Sequence, residues 1–118
     1  MITITTIATC LQLILLAENS LDTDRGGRYQ ITPICLRDVQ NNYPELRKYT
    51  RADMADSNKG REVAKKYLRL VARRYPQNEN NVEWLCRAYA VGAAGANRFE
   101  GYWYLARSEK NKQKGKVG

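Results

Sequence analysis

The first charged side chain in the chain is Glu18; from Ile2 to Ala17 there is none. A run this apolar has to be buried, in a bilayer or in a protein core, and this constrains the fold more than any other feature. It is shorter than a membrane span and is interrupted by Thr3, Thr5, Thr6, Thr9 and Gln12. It lacks a basic leading segment, and Leu15-Leu16-Ala17 is a poor small-x-small cleavage site, so it does not read as a signal peptide. The remaining reading is a buried helix over about residues 3–17. At about 100° per residue, Ile7, Leu11, Ile14 and Glu18 fall within about 60° of one another. Glu18 therefore continues the apolar stripe.

Residues 19–31 hold Asn, Ser, Asp and the Gly26-Gly27 pair, and read as a loop or a small, poorly formed hairpin. Thr32-Pro33 is a helix start, with Thr as N-cap and Pro in the first helical position, and that helix runs to about Asn42. Residues 43–55 read as irregular or as a short helix. Asp56 or Ser57 caps a long helix with Val63, Tyr67, Leu70 and Val71 inward, stopped by Pro76. Asn80 with Glu83 resembles a capping box opening a helix that ends before Gly92. Residues 92–97 read as a small-residue connector, and Asn97 with Glu100 as the cap of a last helix with Phe99, Trp103 and Ala106 inward. The expectation is one mainly α domain over 1–109, with a vestigial hairpin or loop after the first helix, and a basic flexible tail over 110–118.

The chain has 118 residues and a formal net charge of +8. The excess of cations suits a polyanion: nucleic acid, an anionic membrane surface or an acidic cell-wall polymer. There is no histidine, which removes Ser-His-Asp and Cys-His catalysis and any His-ligated metal. Cys10, Cys35 and Cys86 form no CxxC pair; they read as three small buried hydrophobes, with one disulfide plus a free thiol as the alternative.

Glu18 is the sharpest chemical candidate. A carboxylate at a helix C-terminus faces the negative end of the macrodipole, and on the apolar side it is partly desolvated. Both effects favour the protonated form, which suits general-acid work on a glycosidic oxygen; an ordinary solvated Glu at a helix end is the alternative. Asp22 and Asp24 follow on the loop and could supply a second carboxylate across a cleft, or serve as turn residues. Asp53 and Asp56 read as helix caps. Gly26-Gly27 allows either close approach to a ligand or a positive-φ turn. Tyr29 and Gln30 could line a sugar cleft by stacking and hydrogen bonding, and Tyr89, Tyr102, Trp103 and Tyr104 are aromatics of the same use, with core packing the favoured reading of Trp103. Basic residues interleaved with Tyr and Trp would also suit nucleic acid.

Taken in order, Glu18-Asn19-Ser20, Gly26-Gly27-Arg28-Tyr29-Gln30-Ile31, Asp53-Met54-Ala55-Asp56, Tyr67-Leu68, Arg87-Ala88-Tyr89 with Gly92, and Gly101-Tyr102-Trp103 form a series. The series resembles the lysozyme-like lytic transglycosylases, especially small phage-type and bacterial cell-wall lysins, over about residues 8–107. The resemblance implies a lysozyme-like helical fold. It implies that Glu18 is the general acid/base, protonating the leaving oxygen of the N-acetylmuramic acid to N-acetylglucosamine bond. Either the sugar's own 6-hydroxyl or water then attacks. It places Ser20, Tyr29, Gln30, Tyr89 and Tyr102 at the substrate, with Asp22 or Asp24 as a secondary electrostatic group. It implies peptidoglycan glycan strands as partner, a monomer acting at the cell wall, and no metal or organic cofactor. The chain departs from the family in two places: the loop before Tyr-Gln-Ile is short, and Ala90 stands where the family often has a substrate-binding Asn. Two other readings are a non-catalytic basic module holding nucleic acid or wall polymer, and a phage structural protein keeping the fold.

Overall fold

A computed structural model describes residues 1–18, 26–101 and 109–110. Ser20, Asp22, Asp24, Tyr102, Trp103 and Tyr104 lie outside the described residues, as do the basic residues from 111 onward.

The described chain is mainly helical, with no strand among the described residues. Helix α1 spans Ile4–Glu18, α2 Pro33–Asn42, α3 Ser57–Arg74 and α4 Val82–Asn97. Short 3-10 turns at Pro44–Leu46, Ala52–Ala55 and Pro76–Asn78 join them. Helix α1 buries Thr6, Ile7, Cys10, Leu11, Ile14 and Ala17, as its apolar stripe requires. It packs against α3 and α4, and α3 also packs against α2. The centre is filled by Ile14, Ile31, Leu46, Met54, Leu68 and Leu85, all almost wholly buried.

The caps explain most of the boundaries. Thr32 accepts the Cys35 amide and Pro33 opens α2. Asp56 accepts the amides of Asn58 and Lys59 and opens α3. At α4 the cap is Asn81, which accepts the Trp84 amide, one residue later than the capping-box spacing predicts. The reason lies in α1: the Asn80 side-chain oxygen is taken by the Thr3 amide and the Thr6 hydroxyl, each at 2.9 Å. Thr3 caps α1 by accepting the Thr6 amide, and Asn80 binds that cap and ties the starts of α1 and α4 to one corner.

The predicted connector at 92–97 is also different. Gly92 breaks α4 at φ 82°, ψ 164°, but helix resumes and runs to Asn97. No proline follows Gly92, and Ala93, Ala94 and Ala96 favour helix, so the break is a kink and not an end. Asn97 does not cap a last helix: its side-chain oxygen accepts the Trp84 indole N–H at 3.0 Å. Phe99 is not inward but 78% exposed, at φ 58°.

All three cysteines are free; Cys10 and Cys86 are buried and Cys35 half-buried. The Cys10 and Cys86 thiols share a hydrogen bond across α1 and α4, and that bond together with burial holds Cys86 as a thiol.

Candidate functional site

The Gly26-Gly27 pair sets the geometry of the loop after α1. Gly26 and Gly27 lie at φ 92° and 72°, and a Cβ on Gly27 would stand 2.0 Å from the Met54 carbonyl oxygen. The turn therefore lies directly on the segment that leads into α3. The Gly26 carbonyl accepts the Ile31 amide at 3.0 Å, and the Gly27 carbonyl accepts both the Gln30 amide and the Gln30 side-chain N–H. Two distant residues pin the same loop: Arg51 donates to the Ile31 carbonyl at 2.6 Å, and the Tyr89 hydroxyl donates to the Tyr29 carbonyl.

The loop forms one wall of a cleft of about 230 Å³. Gln30 and Thr32 face it from the loop, Cys35 and Asp38 from α2, Tyr67 from α3, and Ala88, Tyr89, Ala90 and Gly92 from α4. The Tyr67 and Tyr89 rings meet edge to face, with centroids 5.9 Å apart.

Of the predicted site residues, Gln30 and Tyr89 meet at this cleft. The Gln30 side-chain N–H is used within the turn and the Tyr89 hydroxyl on the loop, so Tyr89 offers its ring. Tyr29 does not reach the cleft. Its side chain is 6% exposed, belongs to the core and lies against Gly60, so it positions the loop and does not stack on a ligand. Ala90 lines the cleft beside Tyr89.

Glu18 is the last residue of α1 and is half-buried, directly after the fully buried Ala17. Its relation to the cleft follows from the helix directions. The Asn80 bonds bring the starts of α1 and α4 together, and the two helices pack on each other. They therefore run the same way. Fifteen residues carry α1 about 22 Å and ten carry α4 about 15 Å to Gly92. Glu18 and the α4 wall of the cleft thus lie toward the same end of the molecule.

Three further cleft residues are Asp38, which the sequence did not single out, and Cys35 and Tyr67, which it marked as buried or inward. The Asp38 carboxylate is held bidentately by Arg74, with both N···O distances 2.9 Å, and this pairing holds its carboxyl below the usual carboxylate range. Burial and the Asp38 carboxylate push the Cys35 thiol up to about 12, so it is not a thiolate at neutral pH. Burial raises the Tyr67 hydroxyl as well. None of these three groups is poised to gain or lose a proton near neutrality. Among the described residues no group of three or more His, Cys, Asp or Glu could hold a metal ion.

No family model matches the chain, and no curated protein or solved structure matches it either.

Proposed function

We propose that the chain is a peptidoglycan-cleaving glycosidase of lysozyme-like fold, a lytic transglycosylase or muramidase, with Glu18 as general acid/base. The observation that carries this reading is the position of Glu18: a half-buried carboxylate ending a buried helix, toward the end of the molecule where a cleft opens between the 26–32 loop, α2 and α4. A glycan strand laid in the cleft meets the Tyr89 and Tyr67 rings, and the Gln30 amide oxygen can accept from a sugar hydroxyl or N-acetyl N–H. Protonated Glu18 gives its proton to the glycosidic oxygen as the C–O bond breaks. The resulting carboxylate then takes the proton of the attacking hydroxyl, the sugar's own 6-hydroxyl or that of water, so the acid is regenerated. The ion-paired Asp38 remains a fixed negative charge beside this path.

The concentration of positive charge on α3 favours a second reading, a basic module that holds a polyanion without cleaving it. One comparison separates the two. Wild type and Glu18→Gln are incubated with purified peptidoglycan and the soluble products analysed by mass spectrometry. Release of muropeptides by wild type and at least about a hundredfold less by the variant is expected. Anhydro or reducing ends then identify the attacking hydroxyl. Absence of release by wild type, or equal release by a folded Glu18→Gln, refutes the glycosidase reading.

A further inference from the structure

A second surface lies apart from the cleft and shares no residue with it. Arg61, Lys65, Arg69 and Arg73 follow one another at four-residue spacing along α3, forming a row about 18 Å long. None of the four pairs with a carboxylate among the described residues. Arg61, Lys65 and Arg69 border a shallow furrow whose other side is α1, through Ile4, Ala8 and Leu11. At the end of the row, Arg69 and Arg73 border an apolar pocket of about 380 Å³ that reaches Ile2 and Pro76. The Arg69 Nε is buried with no hydrogen-bond partner among the described residues.

The α1 side of this face exposes Ile4 and Ala8, with Thr5, Thr9 and Gln12 further round the helix, while Ile7 and Leu11 are buried. It carries no charge, and Ile4 is 82% exposed beside the cation row. One exposed isoleucine needs no explanation, but Met1, 96% exposed, and Ile2 line the adjoining pocket that shares Arg69 with the furrow, so the apolar side chains form a cluster; a nucleic-acid face would use the cations but leave that cluster against hydrated phosphate. One surface uses both halves: apolar side chains enter the boundary between headgroups and acyl chains while Arg and Lys, extended along their stems, reach lipid phosphates. No helix among the described residues is long and apolar enough to cross a membrane, so contact of this kind is with the bilayer surface.

We propose that the face formed by Met1, Ile2 and Ile4 at the start of the chain's first helix and the Arg61-Lys65-Arg69-Arg73 row of α3 docks on an anionic phospholipid bilayer. The proposal is independent of the chemistry assigned to the cleft. The test is cosedimentation of the full chain with sucrose-loaded vesicles of phosphatidylcholine, with and without phosphatidylglycerol. Partition onto the phosphatidylglycerol vesicles and not onto phosphatidylcholine alone is expected. The double variant Arg61→Gln/Lys65→Gln lowers the partition coefficient about 30-fold, and Ile4→Ser lowers it about tenfold. The double variant Arg37→Gln/Lys48→Gln removes the same net charge from residues that border neither furrow nor pocket, and lowers it less than threefold. All five positions are exposed, and circular-dichroism melts verify that each variant folds. The proposal is overturned if phosphatidylglycerol vesicles bind no protein, or if the two double variants lose equally. It is also overturned if Ile4→Ser has no effect, or if a duplex DNA fragment binds more tightly than the vesicles with the same dependence on Arg61 and Lys65.

Discussion

Gly27 is the residue on which the loop of the candidate site depends most. Its backbone is left-handed, and the Met54 carbonyl oxygen occupies the space a Cβ would need. Gly27→Ala therefore meets two costs at once, the strained φ and the displacement of a backbone carbonyl. Destabilisation of about 2 kcal/mol or more is expected, read as a fall in Tm on the order of 10 °C. On the proposed glycosidase reading, cleavage should fall further than stability, because Gln30 hangs from the Gly27 carbonyl by two hydrogen bonds; assay well below the variant's Tm separates the two effects. In the sequence, the glycine pair reads equally as a ligand cradle or as a turn. The neighbour that decides for the turn, Met54, is fixed only by tertiary packing. Tyr29 shows the same limit: a Tyr beside a Gln on a loop reads as a cleft residue, and only the packing against Gly60 shows that its ring points into the core.

Between elements, the pair most exposed to test is Asp38 of α2 with Arg74 of α3. The bond is bidentate but both side chains keep about a third or more of their surface in water, so its worth is about 0.5–1 kcal/mol and not the several expected of a buried pair. Arg74 depresses the folded-state carboxyl of Asp38 below its unfolded value near 4. A depressed carboxyl contributes stability above the unfolded value and loses it as pH falls through the folded one. Asp38→Asn should therefore cost about 0.5–1 kcal/mol at pH 7, measured by urea unfolding, and the gap from wild type should close as pH is lowered below about 4. A gap that stays constant to pH 2 would refute the pairing. Nothing in the sequence announces this bond, since its partners are 36 residues apart. The helices themselves were legible, because their signals are local: the uncharged run of α1, Thr32-Pro33 for α2, and Asp56 and Pro76 around α3. The start of α4 was misread by one residue because Asn80 serves α1, a use that spacing along the chain does not reveal.

At the scale of the whole molecule the question is where the +8 lies and what it does to a substrate. Helix α3 holds seven Lys and Arg against one Glu, so most of the net charge sits on a single element. Lys59 is paired with Asp53 and Arg74 with Asp38, while the row from Arg61 to Arg73 remains for long-range attraction. That row is distinct from the cleft residues, so its field should govern how fast a polyanion arrives and not how fast a bound glycan is cleaved. If the substrate is the acidic wall polymer, kcat/KM on purified peptidoglycan should fall several-fold as salt is raised from about 0.05 to 0.5 M, where the Debye length drops from about 14 to about 4 Å. On the same reading the saturating rate should stay within about twofold, because proton transfer from the proposed acid Glu18 would occur inside contact distance and be little screened. Membrane binding cannot produce this result, since no lipid is present in the assay. A salt-dependent saturating rate with a constant kcat/KM would place the charge effect inside the cleft, and would argue against the separation of the basic row from the chemistry.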